Sequence, residues 1–488
     1  MKILNNEIFN LNVGTWSFIT TQKKRSKPKN HTSRYSKLII TMKKFTIINL
    51  AVMLSAISMF AQTDEFKYRR SSLAMIAIES ESFPNKDAVM NSWNNYPFPD
   101  KYNEHDIDLK STNIKAINIS DKELMNEGYL LDTLDDPFKI LKAVGSFKPV
   151  KYLNSDSTVA LVLPTKKQLY QLKLNKVINE NDLAKQIVSS WFSQDADGKF
   201  DMSLISERGF YNASELEAGI AQGSTKGLSM LGDAGEELLK NSFVTFTKLN
   251  FIPNEPVARV IRDEAKAQVL SAMKGSPQML IDKAIKGIDK VYDKTKEGYS
   301  LWSKTWLYQL NWNDTIATIF YNDMWSNPKA FIESDLFRLK FVGVQYNQSL
   351  VTFKLGETRT EEQIIDLTLV RNLDNAFAKL QKKNDVFKPA VPVATSDPIT
   401  AKIGMKESIE GGDNFQVLEM IWDDKAGKTT WKKVGTCKVD KKAPIWDNRY
   451  TAGDEVEVQK DKKGNPITAT TFKGSKNIQP GMLLKQIK

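Results

Sequence analysis

Histidine and cysteine are nearly absent from this 488-residue chain, which holds two histidines, His31 and His105, and one cysteine, Cys437. A single cysteine excludes intrachain disulfides. It also excludes a Cys/His zinc site, which needs three or four such ligands. His105 stands in the charged run Glu104-His105-Asp106 with no nucleophile-elbow pattern beside it, so it reads as a solvated loop histidine rather than part of a Ser-His-Asp triad. Long apolar runs are missing too. The longest, Phe45 to Phe60, has sixteen uncharged residues, short of the ~20 that a spanning helix needs, so we expect no transmembrane span in the mature chain. An excess of one charge is likewise missing from most of the sequence. Lys+Arg number 69 against 58 Asp+Glu, a net of +11, but residues 1–61 alone carry a net of +9. A chain so balanced beyond that point has no global field to attract a polyanion, and we expect no nucleic-acid partner.

The N-terminal charges have a simple reading. Met42, Lys43 and Lys44 precede the apolar run, Ala61 follows it, and Gln62 comes next. That is the pattern of a secretory signal peptide over residues 42–61. Residues 1–41 then read as a mis-annotated leader, with translation starting at Met42. If they are translated, Lys23 to Lys29 would form a nuclear or membrane-surface basic patch. Gln62 stands where a lipidated cysteine would be needed, so the expected product is secreted across the inner membrane and periplasmic or outer-membrane associated.

Three regions follow. Residues 62–150 are weakly patterned, with an irregular aromatic loop from Trp93 to Pro99, and carry no assignable chemistry. Residues 157–385 read as an α+β domain. Thr158 to Leu163 predicts a buried strand, and Leu183 to Phe192 a helix capped by Asp182. Ser214 with Glu217 predicts a capping box on a helix bearing Gly219, Gly223 and Gly227. Phe243 to Phe251 predicts a strand, and two amphipathic helices split at Gly275-Ser276-Pro277 follow. The second is expected to bury Leu280, Ile281, Ala284, Ile285, Ile288 and Tyr292. Trp306, Tyr308, Leu310 and Trp312 alternate on one strand face, Trp302 shares it, and Asn313-Asp314 predicts a tight turn returning through Thr315 to Trp325. Such rings suit a buried sheet face or a platform for a sugar or base. Strands are expected near Leu336 to Val344 and Leu350 to Leu355. Thr360 with Gln363 starts a long helix ending near Asn384.

Phe387 to Pro392 reads as an extended linker open to proteases near Lys388. Beyond it, in residues 386–488, helical periodicity gives way to recurrent turns, which predicts a small closed β-barrel. Lys428, Lys432, Lys433 and Lys438, with Lys441 and Lys442, supply local positive charge. An edge strand defended by lysines and an anion-binding face both account for it. The fold class expected is α+β, an antiparallel sheet covered by helices, with a helical-pair insertion and a separate small C-terminal barrel.

Little in the sequence announces chemistry. Ser193 to Asp201 resembles part of a calcium loop, with Asp195, Asp197 and Asp201 as the ligand candidates and Gly198 at the turn, but Leu204 stands where a bidentate Glu should close the shell. A turn between helix and strand is the plainer reading. Gly223-Ser-Thr-Lys226-Gly227 lacks the order of a phosphate loop, and Gly227 to Gly232 misses a Gly-x-Ser-x-Gly elbow by one residue. No catalytic residue and no cofactor is expected.

Several of these pieces together resemble a periplasmic α/β domain. It is shared by the curli secretion channel protein, the lipoprotein activator of penicillin-binding proteins and the flagellar T-ring protein. The carriers are Val159 to Pro164, the helix 183–192, Glu207-Arg208, the run ending Leu231 to Gly235, Trp306 to Asp314, and Leu367 to Leu380. Gly404-Met405 with Gly411 to Val417 resembles the barrel that ends T-ring proteins. The helical pair 255–295 would be an insertion. The resemblance implies non-catalytic assembly work at the envelope through contacts with other envelope proteins. A module that binds an anionic or sugar polymer such as peptidoglycan is the second reading, and a carboxylate-based hydrolase the third.

Overall fold

The computed structural model describes residues 71–487, apart from 80–81, 100, 106, most of 132–148, 206–236, 297, 352–359, 424–427, 450–458, 462–463 and 476. The expected leader, signal peptide and glycine-bearing helix lie outside the described residues, as do Glu207, Arg208 and Leu231 to Gly235.

The first strand, β1 (Ser72–Ile78), comes from the weakly patterned region, because a strand covered on both faces reads as one apolar run rather than an alternation. Helix α1 (Lys86–Asn94) follows and contains Trp93, buried, where an aromatic loop was expected. The short strands β2 (Asn103–Glu104) and β3 (Ser111–Thr112) pair with β1 in parallel. Helix α2 (Asp121–Asn126), with a complete Ser120/Glu123 capping box, leads to β4 (Leu130–Leu131), β5 (Val150–Tyr152) and β6 (Ala160–Val162). These three make a small separate sheet in the order β4-β6-β5. The strand expected at Thr158 to Leu163 is therefore a three-residue piece beside the main sheet; β1 holds the leading position in that sheet instead. Helices α3 (Lys166–Glu180) and α4 (Leu183–Trp191) come next, with Asp182 between them in the left-handed region and giving no side-chain cap.

The rest of the main sheet is β7 (Ser242–Pro253), β8 (Tyr299–Leu310) and β9 (Leu339–Val351), antiparallel to one another, with β7 parallel to β1. Helices α5 (Asn254–Ala272) and α6 (Gln278–Thr295) fill the β7–β8 connection. The tight return after Asn313 is not found. Asn313 Oδ1 accepts from the amides of Thr315 and Ile316 and so caps helix α7 (Asp314–Ile319), which runs through a π-turn to α8 (Pro328–Glu333). An Asx side chain serves a turn and a helix start equally well. β9 is also one long strand where two were expected. Helix α9 (Glu361–Lys383) has the Thr360/Gln363 capping box and ends at Asn384.

Helices cover both faces of the sheet. On one, Ile76, Phe246, Trp306, Tyr308 and Trp312 pack with Ile187, Trp191 and Phe320. On the other, Leu73, Phe243 and Leu307 pack with Trp93 and the Ile365, Leu369, Leu373, Phe377 stripe of α9. The rings Trp306, Tyr308 and Trp312 are thus core, and burying each such side chain stabilises the fold by about 1.5–3 kcal/mol. Trp302 shares their face but lies 44% exposed.

The C-terminal module is a closed barrel, β10 (Ala390–Ser396), β11 (Ile399–Ala401), β14 (Thr470–Gly474), β13 (Lys428–Val439), β12 (Asn414–Asp423) and β15 (Leu483–Gln486) in spatial order. The second half of the expected linker, Ala390 to Pro392, belongs to the first barrel strand. Phe387 and Lys388 are buried, and the Lys388 ammonium pairs with Asp385 at 2.7 Å. The described residues fall in one compact unit, and polar contacts hold the barrel to the sheet domain. Lys406 Nζ lies 3.8 Å from Asp374, which also accepts from Tyr96 Oη at 3.0 Å. Buried Glu407 accepts from the Gly404 amide and from Asn448 Nδ2, with Lys101 Nζ 3.7 Å away.

Candidate functional site

Each residue that the sequence singled out has a definite place. His105 is not solvated. Its amide donates to the Leu73 carbonyl because β2 pairs with β1, its ring lies 5.4 Å from that of Trp191, and Nε2 sits 3.2 Å from the Ile187 carbonyl oxygen. Cys437 faces the barrel core, where burial pushes its thiol up to about 12.

The calcium-loop candidates hold a turn. Asp195 accepts from the Lys199 amide at 2.8 Å and Asp201 from the Ser203 amide at 2.6 Å, while Asp197 is 3.9 Å from Lys199 Nζ. Gly198 has φ +82°, and a Cβ there would stand 2.6 Å from Pro328 Cβ, so both conformation and packing require glycine. Among the described residues no group of three or more His, Cys, Asp or Glu side chains could hold a metal ion.

The lysines do not form one face. Lys433 pairs with Leu418 and Lys438 with Asn414, on the side of the β12–β13 ribbon that Thr436 and Gln416 share. Lys432 pairs with Glu419 and projects from the other side, because cross-strand partners share a face and neighbours along a strand alternate. Lys428 lies opposite Asp423 in register.

An open groove of about 580 Å³ beside α4 is lined by Asp108, Asp182, Lys185, Ser189 and Gln194 among others. Its polar groups are engaged with one another. Lys185 Nζ donates to the Ile332 carbonyl at 2.6 Å and sits 3.2 Å from Asp182, and Ser189 Oγ donates to the neutral Gln194 side chain. No nucleophile and base are paired there.

A different feature is the helical arm that α5 and α6 form at the end of the β7–β8 ladder. The ladder reaches Pro253 paired with Tyr299, so the arm projects where the two strands end. The chain turns between the helices at Gly275, whose φ of +89° suits glycine. At its base, Ser300 Oγ donates to Asn254 Oδ1 at 2.7 Å and the Asn254 amide to the Gly298 carbonyl. Between the helices, Lys266 pairs with Asp289 at 2.5 Å, Tyr292 Oη donates to Glu255, and the Arg262 guanidinium lies 4.4 Å above the Tyr292 ring.

Of the face expected to be buried, Ile281 is buried, Ala284, Ile285, Ile288 and Tyr292 are half-buried and Leu280 is exposed, while other apolar side chains of the arm stand open. Only Asn254 and Ala258 on α5 and Ile281 on α6 are buried. Val260, Ile261, Leu270, Leu280 and Val291 are each about half exposed and Met279 is 76% exposed. Along α6, Leu280, Ala284, Gly287 and Val291 fall on one stripe by helical spacing, and nothing lies within 4 Å of a Cβ built at Gly287. Sequence periodicity revealed the neighbouring face of α6, Ile281 to Tyr292, but not this open stripe, because a helix packed on a core and one awaiting a partner have the same pattern.

No helix among the described residues is long and apolar enough to cross a membrane. In comparisons with known proteins, no protein-family model matches the chain and no curated protein is significantly similar to it.

Proposed function

We propose that the chain is an exported, non-enzymatic assembly or scaffold protein of the cell envelope that works through protein contacts, with the α5–α6 arm as its contact element. The single observation that carries this is the exposed apolar surface of the arm, from Val260 to Val291, on a helix pair tied to the rigid end of a long β-ladder. Scattered surface hydrophobics are ordinary, but a group of them concentrated on one projecting element marks a binding surface. The Met42 to Ala61 pattern supports export, and the resemblance to envelope assembly proteins agrees in kind. The test is photo-crosslinking in intact cells from a reactive residue at Met279 or Val291. Discrete protein adducts from both positions, and none from the exposed Lys329 on α8, are expected. Adducts absent from the arm would refute it.

A further inference from the structure

Strand β9 ends the main sheet, and among the described residues no strand lies beside its outer edge. Edge strands are normally kept from pairing by charges, proline, bulges or brevity. The thirteen residues of β9 carry one charge, Lys340, and one bulge, at Val342, both near the start. Gly343 to Val351 has none of these devices.

Two lysines of α9 reach the side of β9 that faces this helix. Lys379 Nζ donates to Asn347 Oδ1 at 2.6 Å and Lys383 Nζ to Gln345 Oε1 at 2.7 Å. Both acceptors are neutral, and among the described residues neither ammonium has a carboxylate partner. One helical turn apart, the two amines repel each other. Burial first, and then Lys383, holds the Lys379 amine below its ordinary range. Ser349 Oγ, on the same side, is buried with no hydrogen-bond partner among the described residues. On the other side Tyr346 is 61% exposed and Lys304 Nζ lies 4.7 Å over its ring.

We propose that the edge of β9 from Gly343 to Val351 takes up an extended, acidic segment of a partner protein as an added strand, whose carboxylates meet Lys379 and Lys383. The backbone of the edge supplies pairing that is indifferent to sequence, and the two amines supply the selection for negative charge. Gln345 Nε2 folds back on the Tyr346 carbonyl, a local bond that an incoming strand replaces. A second copy of this chain is the poorer occupant, since β9 pairing with β9 would gather both copies' Lys379 and Lys383 without a counter-ion. The inference rests on the assembly reading and names one partner's chemistry. It uses no residue of the arm, so crosslinking at the arm and binding at β9 fail independently.

The test uses the purified full chain and a synthetic peptide that alternates glutamate with valine, threonine and tyrosine, followed by calorimetry and amide hydrogen exchange. Binding is expected, with slowed amide exchange confined to β9. The double variant Lys379→Gln/Lys383→Gln, both exposed positions, should weaken it about tenfold, and methylating alternate peptide amides should abolish it. No binding overturns the proposal. So does equal binding by the methylated peptide or by an anionic polysaccharide, because charge alone would then explain it.

Discussion

Cys437 is 1% exposed, and burial holds its thiol near 12 against an ordinary 9.0. A raised thiol pKa means that the fold favours the neutral form. The resulting stability is whole below pH 9 and is lost as pH rises from 9 toward 12. Alkylation at about pH 8.5 should therefore label the denatured chain and spare the native one. Labelling at equal rates would show that the barrel is open. His105 shows what sequence reading misses at this scale. Its charged neighbours suggest a loop, but one parallel pairing of β2 with β1 turns its ring inward against Trp191. No local pattern encodes a pairing between residues about thirty positions apart. Asp195 and Asp201 are half legible: the turn is readable, while the use of both carboxylates on backbone amides depends on how the folded turn orients those amides.

Among the elements, α9 was the most legible, because its capping box and apolar stripe are local signals that tertiary packing reinforced. Its interior holds a polar exception. Asn372 is fully buried, donates to the Leu301 carbonyl at 2.8 Å, accepts from Ser303 Oγ, and offers its own carbonyl to Asn347 Nδ2. Its side chain joins α9 to β8 by hydrogen bonds no apolar residue could make, while the bond from β9 uses its backbone carbonyl. Asn372→Leu should cost about 2–3 kcal/mol, since buried partners are left unsatisfied, as read from the midpoint of chemical denaturation. A cost near zero would mean that the network is dispensable. The β9 strand and the α7–α8 segment were the least legible. Asn313 fits a turn and a helix cap alike, and the polar stretch Gln345 to Ser349 inside β9 reads as a break between two strands.

For the whole molecule, the contacts between barrel and sheet domain matter more than the chain path that joins them. Lys388 is buried and paired with Asp385, while Glu407 and Asp374 meet Lys101 and Lys406 across the junction. The proline-bearing sequence suggested a free linker because composition reports extension and not what covers it. Chymotrypsin should leave the native chain intact after the buried Phe387, and thermal unfolding should carry barrel and sheet domain through one transition. Early release of a C-terminal fragment would contradict this docking. The fold class was legible in the sequence; the positions of the open surfaces were not, since exposure depends on which faces the remaining elements leave uncovered.

The most direct measurement follows from the ladder beneath the arm. Pro253 and Tyr299 already face each other across β7 and β8, so the residues between them can be replaced by an Asn-Gly turn that closes a hairpin. The account predicts that the armless chain is exported, retains its thermal transition within a few degrees, and no longer recovers the envelope proteins that cross-link to the intact arm. An armless, folded chain that still recovers the same proteins would contradict it.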